Sequence, residues 1–175
     1  IEKYVKFLNT TIKHTSNYGI NNYKNIINQG VLRNNLSRNY NAYFFITTTF
    51  RLPLNFQNKF NYSNINFKSD NQNSNTNISI NNSFQMLIKP NKFWIFTFSY
   101  DYYLPNTKNN DDFIFLDFEI KYKPQRTKWI EFLLTGKNLL NNKFHSQTEN
   151  SDFQTTIYQS SLIPKYYLLT LNFSL

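Results

Sequence analysis

From Trp94 to Tyr102 every second residue is aromatic. Trp94, Phe96, Phe98, Tyr100 and Tyr102 alternate with residues that include Thr97, Ser99 and Asp101. A period of two puts the five rings on one face of an extended strand and polar groups on the other. The pattern recurs as Ile114, Leu116, Phe118, Ile120 and Tyr122 against Asp117, Glu119, Lys121 and Lys123. It continues as Ile130, Phe132 and Leu134, and closes the chain as Tyr167, Leu169, Leu171, Phe173 and Leu175. Upstream, Leu54, Phe56, Phe60 and Tyr62 alternate with Asn55, Gln57, Lys59 and Asn61, and Ile78, Ile80, Phe84, Met86 and Ile88 alternate mainly with polar residues. No stretch longer than a turn keeps a helical period. The sequence predicts an all-β chain forming one domain over 1–175.

Composition narrows the classes. Aromatics at 19% are too many for a disordered tail. Without Cys there is no disulfide framework, thiolate metal site or Cys nucleophile. The longest apolar runs, such as Phe113-Ile114-Phe115-Leu116, fall far short of the ~18 residues a spanning helix needs. The net charge of +9 accompanies joint enrichment of Lys, Asn, Ile, Tyr and Phe, the residues of AT-rich codons, so much of it is background. A chain opening on Ile1 is expected either to have lost a leader or to be part of something longer.

The breaks between strands are as informative as the strands. Short connections fall at Arg51-Leu52-Pro53, Lys89-Pro90-Asn91-Lys92 and Lys123-Pro124-Gln125-Arg126-Thr127, each with a Pro that cannot donate to a ladder. Longer polar connections, at about 16–36, 68–76, 104–112 and 140–164, alternate with them. About eight meandering strands are expected: 1–15, 37–51, 54–67, 76–88, 92–103, 112–123, 128–138 and 165–175. In the first, Val5, Phe7, Leu8 and Ile12 do not keep one parity. The third changes parity near Asn64, so that Ile65 and Phe67 continue on the other side, as a bulge would produce.

A soluble sandwich and a membrane barrel both alternate. Three features favour an antiparallel transmembrane β-barrel. Strands of 11–15 residues exceed the usual globular ~5–6 and contain the ~9–11 that cross a bilayer obliquely. Aromatics gather near strand ends: Trp94 and Trp129 after the Pro turns, Tyr100, Tyr102, Tyr166 and Tyr167 opposite. Short turns at one end and long loops at the other are the outer-membrane arrangement. The lipid-facing set is then Trp94, Phe96, Phe98, Ile114, Leu116, Phe118, Ile130, Phe132 and Leu134. Trp129 has the opposite parity to Ile130, and Asp101, Asp117, Glu119, Lys121, Glu131 and Lys137 take the polar face.

The run Glu131-Phe132-Leu133-Leu134-Thr135-Gly136-Lys137-Asn138-Leu139-Leu140-Asn141-Asn142 resembles the penultimate strand of TonB-dependent outer-membrane receptors. Asn138, Leu139, Leu140 and Asn141 match the family's signature there. Pro164 and Lys165, leading into Tyr166 and Tyr167, are similar to its "Pro-Arg" start of the last strand. Lys165 replaces the usual Arg, and Leu175 the usual terminal Phe. The match covers about 131–175. The resemblance implies the C-terminal part of a 22-stranded barrel in the outer membrane of a Gram-negative bacterium. It also implies uptake of a bulky nutrient such as an iron chelate, oligosaccharide or peptide. The implied partners are outer-membrane lipid, the rest of the barrel and a plug upstream, and the TonB complex through an N-terminal part not present in 1–175. The barrel assembly machinery, reading Tyr167, Leu169, Leu171, Phe173 and Leu175, and a surface lipoprotein complete the set. The alternative is a complete small eight-stranded outer-membrane barrel with a structural, adhesive or binding role. A weaker one is a soluble sandwich whose aromatic face stacks sugars.

Other chemistries find little support. His14 and His145 are the only histidines, and His145 with Glu149 and Asp152 matches no compact ligand motif, so a solvated loop and no metal is expected. Asp111 and Asp112 are adjacent and do not share a face in an extended chain. There is no nucleophile elbow, Ser/His/Asp grouping or Gly-rich phosphate loop, so neither an enzyme nor a cofactor is expected. Nucleic acid is not expected either: the rings and the cations Arg51, Lys89, Lys92, Lys123, Arg126 and Lys128 do not share a face.

Overall fold

The computed structural model describes residues 1–27, 30–70, 74–105, 112–127, 129–150 and 155–174. Asp111, Lys128, Asp152 and Leu175 lie outside the described residues, as does the side chain of Glu149. The strands are β1 (Glu2–Val5), β2 (Thr10–Ile27), β3 (Val31–Thr48), β4 (Leu54–Ser69), β5 (Asn75–Ile88), β6 (Trp94–Leu104), β7 (Phe113–Tyr122), β8 (Ile130–Lys137), β9 (Phe144–Asn150), β10 (Thr155–Ser161) and β11 (Tyr166–Phe173). Nine of them form one antiparallel sheet in the order β1-β2-β3-β4-β5-β6-β7-β8-β11, and β9 pairs with β10 as a separate hairpin. The sheet is open; it does not close into a barrel.

Several expectations change. The expected strand 1–15 is two elements. β1 ends in a single 3-10 turn, Lys6–Leu8, and Asn9 reverses the chain with φ 43, so β1 pairs back onto the start of β2. That reversal explains the broken parity. The expected loop 16–36 is mostly strand: β2 and β3 pair without interruption from Thr10↔Thr48 to Ile27↔Val31. Their polar outer halves read as loop because a ladder satisfies the backbone whatever the side chains are. Gly30, at φ 87, serves the reversal. There is no bulge at Asn64: β4 keeps one register with β3 and with β5, so Ile65 and Phe67 simply occupy the polar face. The loop 140–164 contains the β9–β10 hairpin.

The Pro-bearing connections 49–53, 89–93 and 123–129 all lie at one end, called lower here. At the other end 28–30 and 70–74 are no longer than these, and only 105–112 and the stretch holding β9 and β10 are. The expected alternation of short and long connections therefore holds only for the later strands. Side chains close the lower turns: Asn91 Oδ1 accepts from the amides of Phe93 (2.9 Å) and Trp94 (3.1 Å), and Asn55 Oδ1 from Phe50 N (2.6 Å). These are local Asx-type bonds that Asn makes readily.

One cross-strand row shows how the strands lean. It runs Phe56, Met86, Phe98, Phe118, Gly136, Tyr167. From the lower ends of their strands these are third, third, fifth, fifth, seventh and seventh. Two residues of ~3.3 Å rise gained over two spacings of ~4.8 Å make a lean of about 35°. Barrel walls have strand tilts of about 35–45°.

The sheet has no core. Ala42 is the only buried hydrophobic residue among those described, while Phe98, Phe132, Leu134, Leu169, Leu171 and Phe173 are all exposed. The accessible surface is 12619 Å² for 21.1 kDa. A compact globular chain of that mass would expose roughly 9,000 Å². A single layer with one bare apolar face needs something to cover it.

Candidate functional site: a belted apolar face and a rim cleft

The sequence-selected apolar residues do share one face. Trp94, Phe96 and Phe98 pair with Tyr122, Ile120 and Phe118; Tyr100 and Tyr102 pair with Leu116 and Ile114. Ile120 and Tyr122 pair in turn with Leu134 and Phe132, and Ile130, Phe132, Leu134 and Gly136 with Phe173, Leu171, Leu169 and Tyr167.

This face is bounded by two belts. The lower contains Trp94 stacked on Tyr122 (4.3 Å between centroids), Tyr122 near Phe132 (6.1 Å) and Trp129 stacked on Phe173 (6.0 Å). Trp129 therefore belongs to the apolar face despite its parity, because it precedes β8 and turns onto the last strand. The upper belt is tyrosine. Tyr18, Tyr40, Tyr62 and Tyr102 are each the ninth residue from the lower end of β2, β3, β4 and β6, and lie on the apolar face. Tyr166 does not join this belt; it falls on the polar face, one position off Tyr167. Above the tyrosines the same face is mixed: Asn22, Lys24, Arg38, Asn64, Asn66 and Lys68 stand among Ile20, Ile26, Leu32 and Leu36. Eight residue steps at ~3.3 Å along a ~35° lean separate the belts by about 22 Å, close to the ~25 Å apolar band of outer-membrane barrels.

Polar residues between the belts are satisfied sideways. Asn58 Nδ2 donates to Asn82 Oδ1 (2.8 Å), and His14 stacks on Phe44 (4.2 Å) with Nδ1 3.2 Å from the Tyr43 carbonyl. Such pairing reduces what an apolar surrounding would cost them.

The opposite face has two halves. Across β2–β5 its charges are Lys13, Arg33 and Lys59, and between them Thr15, Asn17, Asn41, Asn61, Ser63 and Asn81 line a groove of about 150 Å³. Across β6–β8 it is charged. Glu131 takes Lys121 (3.1 Å) and Lys123 (2.8 Å), and Asp117 takes Lys137 (2.9 Å).

At the upper rim the motif 138–142 forms a clamp. Asn138 is buried, with φ 51, and its amide donates to Asp117 Oδ1 (2.8 Å). Its Nδ2 donates to the carbonyls of Asn142 (2.8 Å) and Ile163 (3.0 Å), and its Oδ1 accepts from Asn142 N (2.9 Å). Leu139 N donates to Leu116 O (2.9 Å), Asn142 Nδ2 to Ile114 O, and Lys165 N to Asn141 Oδ1 (3.1 Å). The clamp thus ties β7 to the chain on either side of the hairpin, just before β11. Leu140 is exposed, and Pro164 stands in the lead-in to β11.

Beside the clamp, the hairpin meets the polar face. His145 is half-buried in β9 and packs edge-on against Tyr103 (5.8 Å), Phe113 (5.4 Å) and Phe115 (6.3 Å). The expectation of a solvated loop histidine is corrected: Phe144–Asn150 pairs with Thr155–Ser161, and this hairpin carries the ring onto the sheet. A cleft of about 490 Å³ opens there, lined by Asp101, Tyr103, Phe115, Asp117, Lys137 and Tyr166 among others. No group of three His, Cys, Asp or Glu residues that could hold a metal occurs among the described residues.

Comparison with protein-family models, curated proteins and solved structures gives no match. The resemblance at 131–142 and 164–167 therefore rests on the residues alone. Sequence reasoning missed the cleft, whose parts lie on β6, β7, β8, β9 and β11. The one local signal was the odd-numbered pair Asp101 and Tyr103, which breaks the small polar pattern of Thr97 and Ser99.

Proposed function

We propose that the chain is a wall segment of an outer-membrane β-barrel of the TonB-dependent receptor type, serving uptake of a bulky nutrient. The observation that carries this reading is the uncovered apolar face, bounded by aromatic belts about 22 Å apart. Lipid is the natural cover for a face of that height. The motif clamp at 138–142 supports the receptor type, because the residues that carry the resemblance also organise the rim.

The edge strands favour a larger barrel over a complete small one. In an antiparallel order of nine, β1 and β11 run in the same direction, so they cannot pair antiparallel with each other. β1 also occupies the lower edge of β2 that β11 would need. Each edge therefore calls for a further strand, since bare edges invite misassociation. In such a receptor the plug and the TonB contact lie in other parts, and this segment contributes wall, rim and outer surface.

The two tryptophans test the lipid assignment directly. Trp94 and Trp129 both sit in the lower belt, so in reconstituted vesicles both are expected to be quenched most by lipids brominated just below the headgroup, less by lipids brominated near the chain ends. Quenching by aqueous iodide but not by brominated lipid refutes the assignment. Heat-modifiable migration on a gel is the accompanying sign of a closed barrel.

A further inference from the structure

The cleft under the β9–β10 hairpin combines charge and rings in a way that building a wall does not require. Lys137 and the Asn138 amide both engage Asp117, so that pair leaves no net charge in the cleft. Asp101 has no hydrogen-bond or ion-pair partner among the described residues. It stands on the same face of β6 as Tyr103 and opposite Phe115 on β7. Tyr103 and Phe115 meet edge to face at 5.8 Å, and Tyr166 lines the same space from β11. His145 bounds the cleft from the hairpin side, its Nδ1 buried and without a hydrogen-bond partner. About 490 Å³ is within the range of small-molecule sites.

This lining selects by charge and by softness. A single uncompensated carboxylate rejects anions. Aromatic faces attract cations, and they favour weakly hydrated organic ones, because a ring offers no lone pair to a metal ion. We infer that the cleft binds an organic ammonium group, a protonated amine or quaternary ammonium, with Asp101 as counter-charge and Tyr103, Phe115 and Tyr166 as the cage. The inference does not depend on what covers the apolar face.

The test is a calorimetric titration of the 175-residue chain with choline and with its neutral isostere 3,3-dimethylbutan-1-ol, in detergent or in buffer, whichever keeps it monodisperse. Choline is expected to bind at least about tenfold more tightly than the isostere. Asp101→Asn and Tyr103→Leu are each expected to weaken choline about fivefold to thirtyfold while the circular dichroism spectrum stays unchanged. Equal affinity for the isostere, an unaffected Asp101→Asn, or no binding of choline overturns the inference. So does binding of a neutral oligosaccharide such as maltotriose in place of choline, which would make the cleft a sugar site. Loss of lipid quenching at Trp94 and Trp129 would leave these results untouched, so the two readings fail separately.

Discussion

The ring of Phe118 lies over the Cα of Gly136, its partner across the β7–β8 ladder, and a methyl group at 136 would overlap that ring. Tyr167 approaches from the other side, 6.2 Å from Phe118 between centroids, so the glycine is the gap into which two aromatic side chains lean. Gly136→Ala is expected to destabilise by ~1–3 kcal/mol, because the ring must leave its place in a packed row. Phe118→Leu should cost less when combined with Gly136→Ala than in the wild type, since the two sites share one volume. Urea unfolding of the wild type, the two single variants and the double variant in micelles measures this, and strict additivity would count against the packing.

Phe118 and Glu119 test the two faces at adjacent positions along β7. Phe118 lies in the apolar row with Phe98, and Glu119 lies between Thr97 and Thr135 on the polar face. Phe118→Arg is expected to cost ~2–4 kcal/mol if the residue sits near the bilayer midplane. Glu119→Arg should be far milder, as it stays beside polar neighbours. Equal losses at the two positions would sink the assignment of faces.

Much of this architecture is legible because a strand displays its environment every second residue. Trp94–Tyr102 and Ile114–Tyr122 announce both their extended form and their shared face. What escapes has a physical reason in each case. The outer halves of β2 and β3 scatter Ile20, Ile26, Leu32 and Leu36 among Asn, Lys and Arg on one face, so alternation is too weak to read, yet their backbone ladder is complete. The segment 1–15 misleads because one left-handed residue, Asn9, reverses the chain. Parity cannot place Trp129, since it has no meaning in the turn before β8. The cleft is illegible because Asp101, Lys137 and His145 meet only through the folding of the hairpin.

Asn138 is the residue on which the rim clamp turns. Asn138→Ala removes two donated bonds and one accepted bond and places a β-carbon residue at φ 51 without the polar side chain that suits it there. A loss of about 2–4 kcal/mol is expected, since the group is buried and its partners are left unpaired. Asn138→Asp should be no better: it keeps the backbone preference but loses both donations and sets a second carboxylate near Asp117. Limited proteolysis gives the local readout, with faster cleavage between 141 and 164 while the β2–β5 portion stays resistant. Protection equal to the wild type would show that the hairpin is held by other contacts.

Glu131 has the most ion-pair contacts of any described carboxylate, yet the expected effect of removing it is small. Lys121 and Lys123 flank it at 3.1 and 2.8 Å, and Asn172 Nδ2 reaches its other side at 3.4 Å. The Lys123 side chain is more than half exposed, so water screens that pair and its holding in one geometry costs entropy. Glu131→Gln should therefore cost no more than about 1 kcal/mol at low salt, and the difference from wild type should shrink as ionic strength rises toward about 1 M. Lys121→Met should be similarly mild, because Lys121 pairs across the ladder with Leu133 and a linear apolar side chain fits there. Denaturant midpoints measured at both salt concentrations check this. A loss of several kcal/mol that salt does not reduce would place the cluster in a dry interior, with a further element packed over this part of the polar face.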